Sequence, residues 1–287
     1  RAISAASLSS VVTCFTSDKY DAIMKKLIEE MTTKSTFSER QGTAQAIASL
    51  IKTKGVSGLQ DQLQSFVDLA KTSKDIKVRE GYVSLLGFLS HFFGEDFSIG
   101  YNMSIEAVLD ACADPNDAIR TVGLRSASLI AKRFSKSHPH LILEPYFACA
   151  LKENWRQRLC AVNFMKSFVM ATTDTTEADD KGIRNIGELL EKLESAVDHD
   201  LLYPAVITLF ILAADPVPTV SKEAQTVWKQ VIPNTNLFLR NTMDILLERI
   251  SSFTHSEFEV VRTVGASAMA WSIRKLKTIF LKKCFTV

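Results

Sequence analysis

The chain has 287 residues, 46% hydrophobic and 23% charged, with a formal net charge of +2. Such a composition can bury a large apolar area, which excludes a disordered chain; near-neutrality excludes a global basic field for nucleic acid, though not a local patch. Glycine and proline are sparse, at 11 and 7, which suits helices and argues against a barrel or sandwich.

Residues 1–15 (RAISAASLSSVVTCF) have a signal-like flavour without a convincing cleavage site, and read as the second helix of a truncated repeat. A first helix is expected at 18–31, a turn at 32–37 and a second helix at 38–51 (SERQGTAQAIASLI). In the latter, Thr43, Ala44, Ile47, Ala48 and Ile51 share one small-residue face, and Ser38 with Gln41 fits a capping box. The same pair returns as 58–71 with a helix from Val78, as 101–113 with one from Ile119, and as 140–151 with one from Trp155. Residues 171–181 (ATTDTTEADDK) are polar, acidic and aperiodic, and read as a flexible insertion before a helical segment at 182–195. The apolar run 201–214 has 14 residues, too few for the roughly 20 that cross a bilayer, and reads as a helix buried on several sides. It is followed by a helix at 220–232, and a last pair is expected at 237–251 and from Val260.

An arginine opens most second helices: Arg40, Arg79, Arg120, Arg156 and Arg262, the first four at intervals of 39, 41 and 36. Ser221 takes that place in the fifth unit. A period near 40 with two helices per unit predicts an all-α HEAT-repeat solenoid, an ARM-like superhelix of about six hairpins spanning residues 1–287. In the third unit Pro115 stops the first helix and Asp117 caps the second. Arg120 sits badly for its own helix dipole, so the expectation is an Asp–Arg ladder in which it reaches an aspartate of a neighbouring turn. These arginines are taken as repeat-packing residues.

Signs of chemistry are scarce. There is no GxxxxGK[ST], GxGxxG, GxSxG or HExxH, and the acid pairs Glu29/Glu30, Glu95/Asp96 and Asp179/Asp180 lie on helix ends or loops. No catalytic residue, cofactor-binding residue or metal ligand is identified, and no small-molecule ligand is expected. Cys14, Cys112, Cys149, Cys160 and Cys284 are scattered among apolar residues, as small hydrophobes in a reducing compartment. His138 and His140 flank Pro139 in a loop. Trp155, Trp228 and Trp271 fall in second helices, where packing between units explains them better than a stacking platform for bases. Lys52, Lys54, Lys132, Arg133 and Lys136 gather at helix ends and are expected to form a basic edge facing RNA phosphates or an acidic protein. Further cations, Lys282 and Lys283 among them, crowd the carboxyl end.

Five stretches are more specific. ERQGTAQAIASLI at 39–51, VREGYVSLLGFLSHFFGEDF at 78–97, ALKENWRQRLCAVNFM at 150–165, AADPVPTVSKEAQTVWKQVIPNTNLFLRNTMDILL at 213–247 and VRTVGASAMAWSIRKL at 261–276 occur in this order. Together they resemble the general-control translational activators, very large HEAT-repeat proteins that sense stalled ribosomes and activate the kinase of initiation factor 2 alpha. The resemblance implies a non-enzymatic scaffold segment, cytoplasmic, without a cofactor or membrane. Its implied partners are the ribosome, both rRNA and protein, and, through a region outside this chain, the kinase, in amino-acid starvation. The family's kinase-docking segment lies after the matched region. Karyopherin-like transport, a phosphatase scaffold, or the HEAT region of a translation-factor ATPase are the alternatives.

Overall fold

The computed structural model describes residues 16–174 and 187–277. The helix expected at 1–15, Cys14, residues 175–181 of the insertion, the first residues of the segment at 182–195, Cys284, Lys282 and Lys283 lie outside these residues. Fourteen α-helices and one 3-10 segment make up the described residues. The fold is the expected all-α solenoid of helical hairpins. It divides into two units, Arg1–Arg133 and Phe134–Val287.

The first unit holds three hairpins: α1 (Ser17–Thr33) with α2 (Phe37–Thr53), α3 (Gly55–Thr72) with α4 (Ile76–Phe93), and α5 (Tyr101–Cys112) with α6 (Asp117–Phe134). The 3-10 segment Gly94–Gly100 joins α4 to α5. Helix α2 packs between α1 and α4, so the small face seen in sequence is the face buried: Ala44, Ile47, Ala48 and Ile51 are fully covered. Stacking supplies the apolar partner that a lone hairpin lacks.

The second unit pairs α7 (Pro139–Ala150) with α8 (Trp155–Thr172), α10 (His199–Leu212) with α11 (Pro218–Val231), and α13 (Met243–Thr254) with α14 (Glu259–Leu276). Two short helices, α9 (Glu188–Ala196) and α12 (Thr235–Asn241), lie between the pairs. Helix α10 touches α7, α8, α9, α11, α13 and α14, and every residue from Ala205 to Leu212 is buried. A helix apolar all round has no solvent face to present, which accounts for the long hydrophobic run.

Three local expectations are corrected. The cap of α2 is Thr36, not Ser38: Thr36 is extended (φ −93°, ψ 142°), accepts from the Glu39 amide, and its own amide donates to the Glu39 carboxylate. The cap of α6 is Asn116, whose Oδ1 accepts from the amides of Ala118 and Ile119, rather than Asp117. The single helix expected at 237–251 breaks at Thr242, where φ −112° and ψ 28° end the ladder and the side chain turns back onto the Phe238 carbonyl. One residue leaving helical dihedrals is invisible to hydrophobic periodicity.

Two glycines fix how closely the hairpins close. A Cβ at Gly123 would lie 2.7 Å from the backbone nitrogen of Cys112, and one at Gly265 would lie 3.0 Å from that of Thr254. Both stand seven residues past their helix caps, Asn116 and Phe258, at the crossing with the end of the preceding helix.

Candidate functional site

The arginines act on the turns. Arg40 Nη1 donates to the carbonyls of Lys34 and Ser35, at 2.9 and 3.0 Å. Arg120 does the same to Asp114 and Pro115, Arg158 to Lys152 and Glu153, and Arg262 to Ser256 and Glu257. In each case the acceptors lie six and five residues back, just past the end of the hairpin's first helix. Those carbonyls belong to the turn, past the first helix, so each guanidinium ties the turn to the start of the second helix. The arginine that looks misplaced at the start of its own helix is thus well placed for the turn before it.

This geometry corrects one repeat. Arg156 stacks over Trp155, 4.6 Å from the ring centroid, and makes no turn contact of this kind. Arg158 does: it stands four residues past its cap, as Arg40, Arg120 and Arg262 do (Thr36 to Arg40, Asn116 to Arg120, Asn154 to Arg158, Phe258 to Arg262), while Arg79 holds the same place after Asp75 but reaches Asp114 instead. With Arg158 the third interval becomes 38 rather than 36. Ser221 occupies the same place after Val217.

An acid–arginine ladder runs between consecutive hairpins, with different partners from those expected. Asp114 receives Arg79 of the preceding hairpin, while its Oδ1 accepts from the Asn116 amide of its own turn. Asp215 repeats the arrangement: it receives Arg158 at 2.6 Å and accepts from the Val217 amide, with both charged side chains fully buried. Each of these aspartates precedes a proline and stands two residues before the cap. In the second hairpin Ser73 stands there instead, and Glu80 of α4 supplies the carboxylate to Arg40 at 2.5 Å. Arg120 finds its acid on its own helix, at Asp117. Where Ser221 replaces the arginine, Ser256 replaces the following turn's aspartate, so donor and acceptor are missing together.

A groove crosses the second helices of the first unit, with a cavity volume of about 440 Å³. Gln41 and Gln45 of α2, Phe88 of α4, and Arg125, Ser128 and Lys132 of α6 line it. Successive helices approach closely here, since a Cβ at Gly87 would meet Ser126, whose hydroxyl donates to the Val83 carbonyl at 2.9 Å. Arg125 also lies over the Phe37 ring at 4.7 Å. No carboxylate lines the groove. It offers two amides, a hydroxyl and two cations, a set suited to holding an extended chain with anionic groups.

The cations expected along one edge have separate surroundings. Lys132 belongs to the groove. Lys52 pairs with Asp96 at 2.9 Å and lies over Phe93. Lys54 lies over the Tyr20 ring at 4.4 Å. Arg133 is exposed at the end of α6 and packs its guanidinium against Gly94. Lys136 falls in the second unit, paired with Asp174 at 2.5 Å. Three polar groove residues carry no signal in the sequence as ligand groups: Arg125, Ser128, and Gln45 beside a Gln41 that reads as a cap.

The described residues hold no group of three His, Cys, Asp or Glu side chains placed to bind a metal. His138 and His140 rings are 6.0 Å apart, and Cys112, Cys149 and Cys160 are buried. Arg249 of α13 lies over Phe147 and donates to Thr208, and burial pushes its guanidinium below the usual arginine range. Burial also pushes the Tyr146 phenol up; its hydroxyl donates to the Ala205 carbonyl at 3.0 Å. Among the described residues no helix is long and apolar enough to cross a membrane.

With the hairpins and groove in place, comparison with known proteins is informative. No family model matches the chain. The eIF-2-alpha kinase activator GCN1 of Saccharomyces cerevisiae is 25% identical over 280 residues, 96% of this chain and 10% of that protein. The chain is similar to the GCN1 proteins along nearly its whole length. The stalled ribosome sensor GCN1 of Mus musculus gives the same identity over 287 residues, covering 96% of this chain and 11% of its own. The chain therefore spans about a tenth of the length of these GCN1 relatives. Among solved structures, a designed armadillo repeat protein aligns with 85% of this chain and 97% of its own, at 14% identity and a TM-score of 0.34.

Proposed function

We propose that this chain is a non-enzymatic HEAT-repeat scaffold segment of a translational regulator, cytoplasmic, that binds ribosomes and thereby promotes activation of the initiation factor 2 alpha kinase in amino-acid starvation. The observation that carries this reading is the similarity to proteins called stalled ribosome sensor and eIF-2-alpha kinase activator across 96% of the chain. The arginine turns and acid ladder hold hairpin on hairpin, so the array is a support rather than a catalyst. The ribosome-facing surface is the groove of the first unit, where Arg125 and Lys132 have no carboxylate beside them. Of the wider basic edge, Lys52, Lys54, Arg133 and Lys136 are secondary contributors, since Asp96 and Asp174 already neutralise two of them. The kinase is engaged through a region outside this chain.

The test is co-sedimentation of the 287-residue chain with ribosomes through a sucrose cushion, alongside a pulldown identified by mass spectrometry. Ribosomal proteins in both support the reading. Transport factors or phosphatase subunits with no ribosomes in the pellet would replace it with a karyopherin-like or phosphatase scaffold.

A further inference from the structure

In the second unit, α10, α11 and α14 enclose a cleft of about 420 Å³, within the size range of ligand pockets. Its floor is aromatic. Phe210 lies 5.1 Å from Trp228 and 6.4 Å from Trp271, ring centroid to ring centroid. Phe210 and Trp228 are buried and Trp271 is half-buried, so one indole is left to meet an incoming group. The Trp228 N–H is spent on Thr235 at 3.0 Å, whereas that of Trp271 makes no hydrogen bond among the described residues. The rim is cationic: Lys229, Arg274 and Lys275 are exposed, make no ion pair among the described residues, and no carboxylate lines the cleft.

The two features call for different parts of one partner. An aromatic floor gains from a planar apolar group, through burial and edge-to-face contact. Three unpaired cations beside it gain from carboxylates and lack any acid of their own. A single strand of nucleic acid also carries rings and negative charge. Its affinity, however, comes from many phosphates, and residues 134–287 carry 18 Lys and Arg against 17 Asp and Glu, which provides no steering field. Nor does the cleft hold the array of exposed stacking faces that successive bases need, since two of its three rings are buried. Local charge around one apolar seat matches a short protein segment.

We propose that this cleft docks an acidic peptide segment carrying an aromatic side chain, the ring seated on Trp271, which Phe210 backs from below, and the flanking carboxylates held by Lys229, Arg274 and Lys275. This site lies in the second unit and does not depend on ribosome binding by the first. The test uses the 287-residue chain and a labelled heptapeptide with one Phe between three acidic residues on each side. Fluorescence polarisation and tryptophan emission follow binding. Saturable binding with a change in tryptophan emission is expected. It should weaken at least tenfold for R274E/K275E, two exposed changes whose fold is checked by circular dichroism, and at least tenfold when the peptide's Phe is replaced by Ala. Absence of binding at millimolar peptide, equal binding by either altered partner, or tighter binding of a nine-residue oligouridylate would overturn the proposal.

Discussion

At the scale of single residues, the buried Arg158–Asp215 pair is the most sensitive point. Both side chains are fully covered, and the pair is joined at 2.6 Å. Removing one partner leaves the other charge buried and unpaired, which costs about 3–5 kcal/mol in comparable pairs. Arg158→Met should therefore lower the unfolding free energy by about that amount, measured by urea denaturation. Arg156→Met loses only a partly exposed cation–π contact and should cost under about 1 kcal/mol. Equal costs for the two would contradict the register assigned to the fourth repeat. These arginines stand two positions apart in sequence, and only the position of the cap, Asn154, tells them apart. The acid ladder was likewise legible as a type of contact but not in its pairing. Asp114 was visible in the turn, but which arginine fills it depends on how one hairpin stacks on the next.

At the scale of elements, α2 can be tested through its capping box. Thr36→Ala removes a side-chain acceptor at the helix start and should destabilise by about 1 kcal/mol at pH 7. The hydrogen bonds from Thr36 hold the Glu39 carboxyl below its ordinary value. A carboxylate whose pKa is lowered on folding stabilises above its unfolded value and loses that contribution as pH falls through the folded one. Hence the cost of Thr36→Ala should shrink in acid, near pH 3, relative to pH 7. A cost independent of pH would mean that the Glu39 half of the box contributes nothing. Gly123→Ala tests the close approach of α6 to the end of α5: backbone stands in the way of the new methyl, and a loss of about 1–3 kcal/mol is expected from thermal melting. Helices and their buried faces were readable because apolar residues at three-and-four spacing report directly on burial. The break at Thr242 was not, since it rests on one residue's dihedrals within an unbroken apolar pattern.

At the scale of the whole molecule, the repeat explains why so little chemistry is visible along so long a chain. A stacked array buries the apolar faces of its hairpins, and in places a turn arginine such as Arg40 or Arg158, and leaves its surface for partners. The groove of the first unit illustrates what a linear reading misses. Gln41 and Gln45 are 80 or more residues from Arg125 and Lys132. Their residue types are ordinary, and only the stacking of three successive hairpins brings them to one cavity, with Phe88 of the second between them. A helix-end rule grouped Lys132 with Lys52 and Lys54 because all three are cations near carboxyl termini; the structure divides them according to which acids and rings stand nearby.

The claim that this segment is a ribosome-binding scaffold is tested most directly by the affinity of R125E/K132E for ribosomes, compared with the unaltered chain and with K52E/K54E, in co-sedimentation at fixed salt. The account predicts binding that weakens as salt rises, falls at least tenfold in R125E/K132E, and changes less than threefold in K52E/K54E, with all three proteins melting alike. Ribosome binding that is undetectable for the unaltered chain, or that is the same in R125E/K132E, would contradict it.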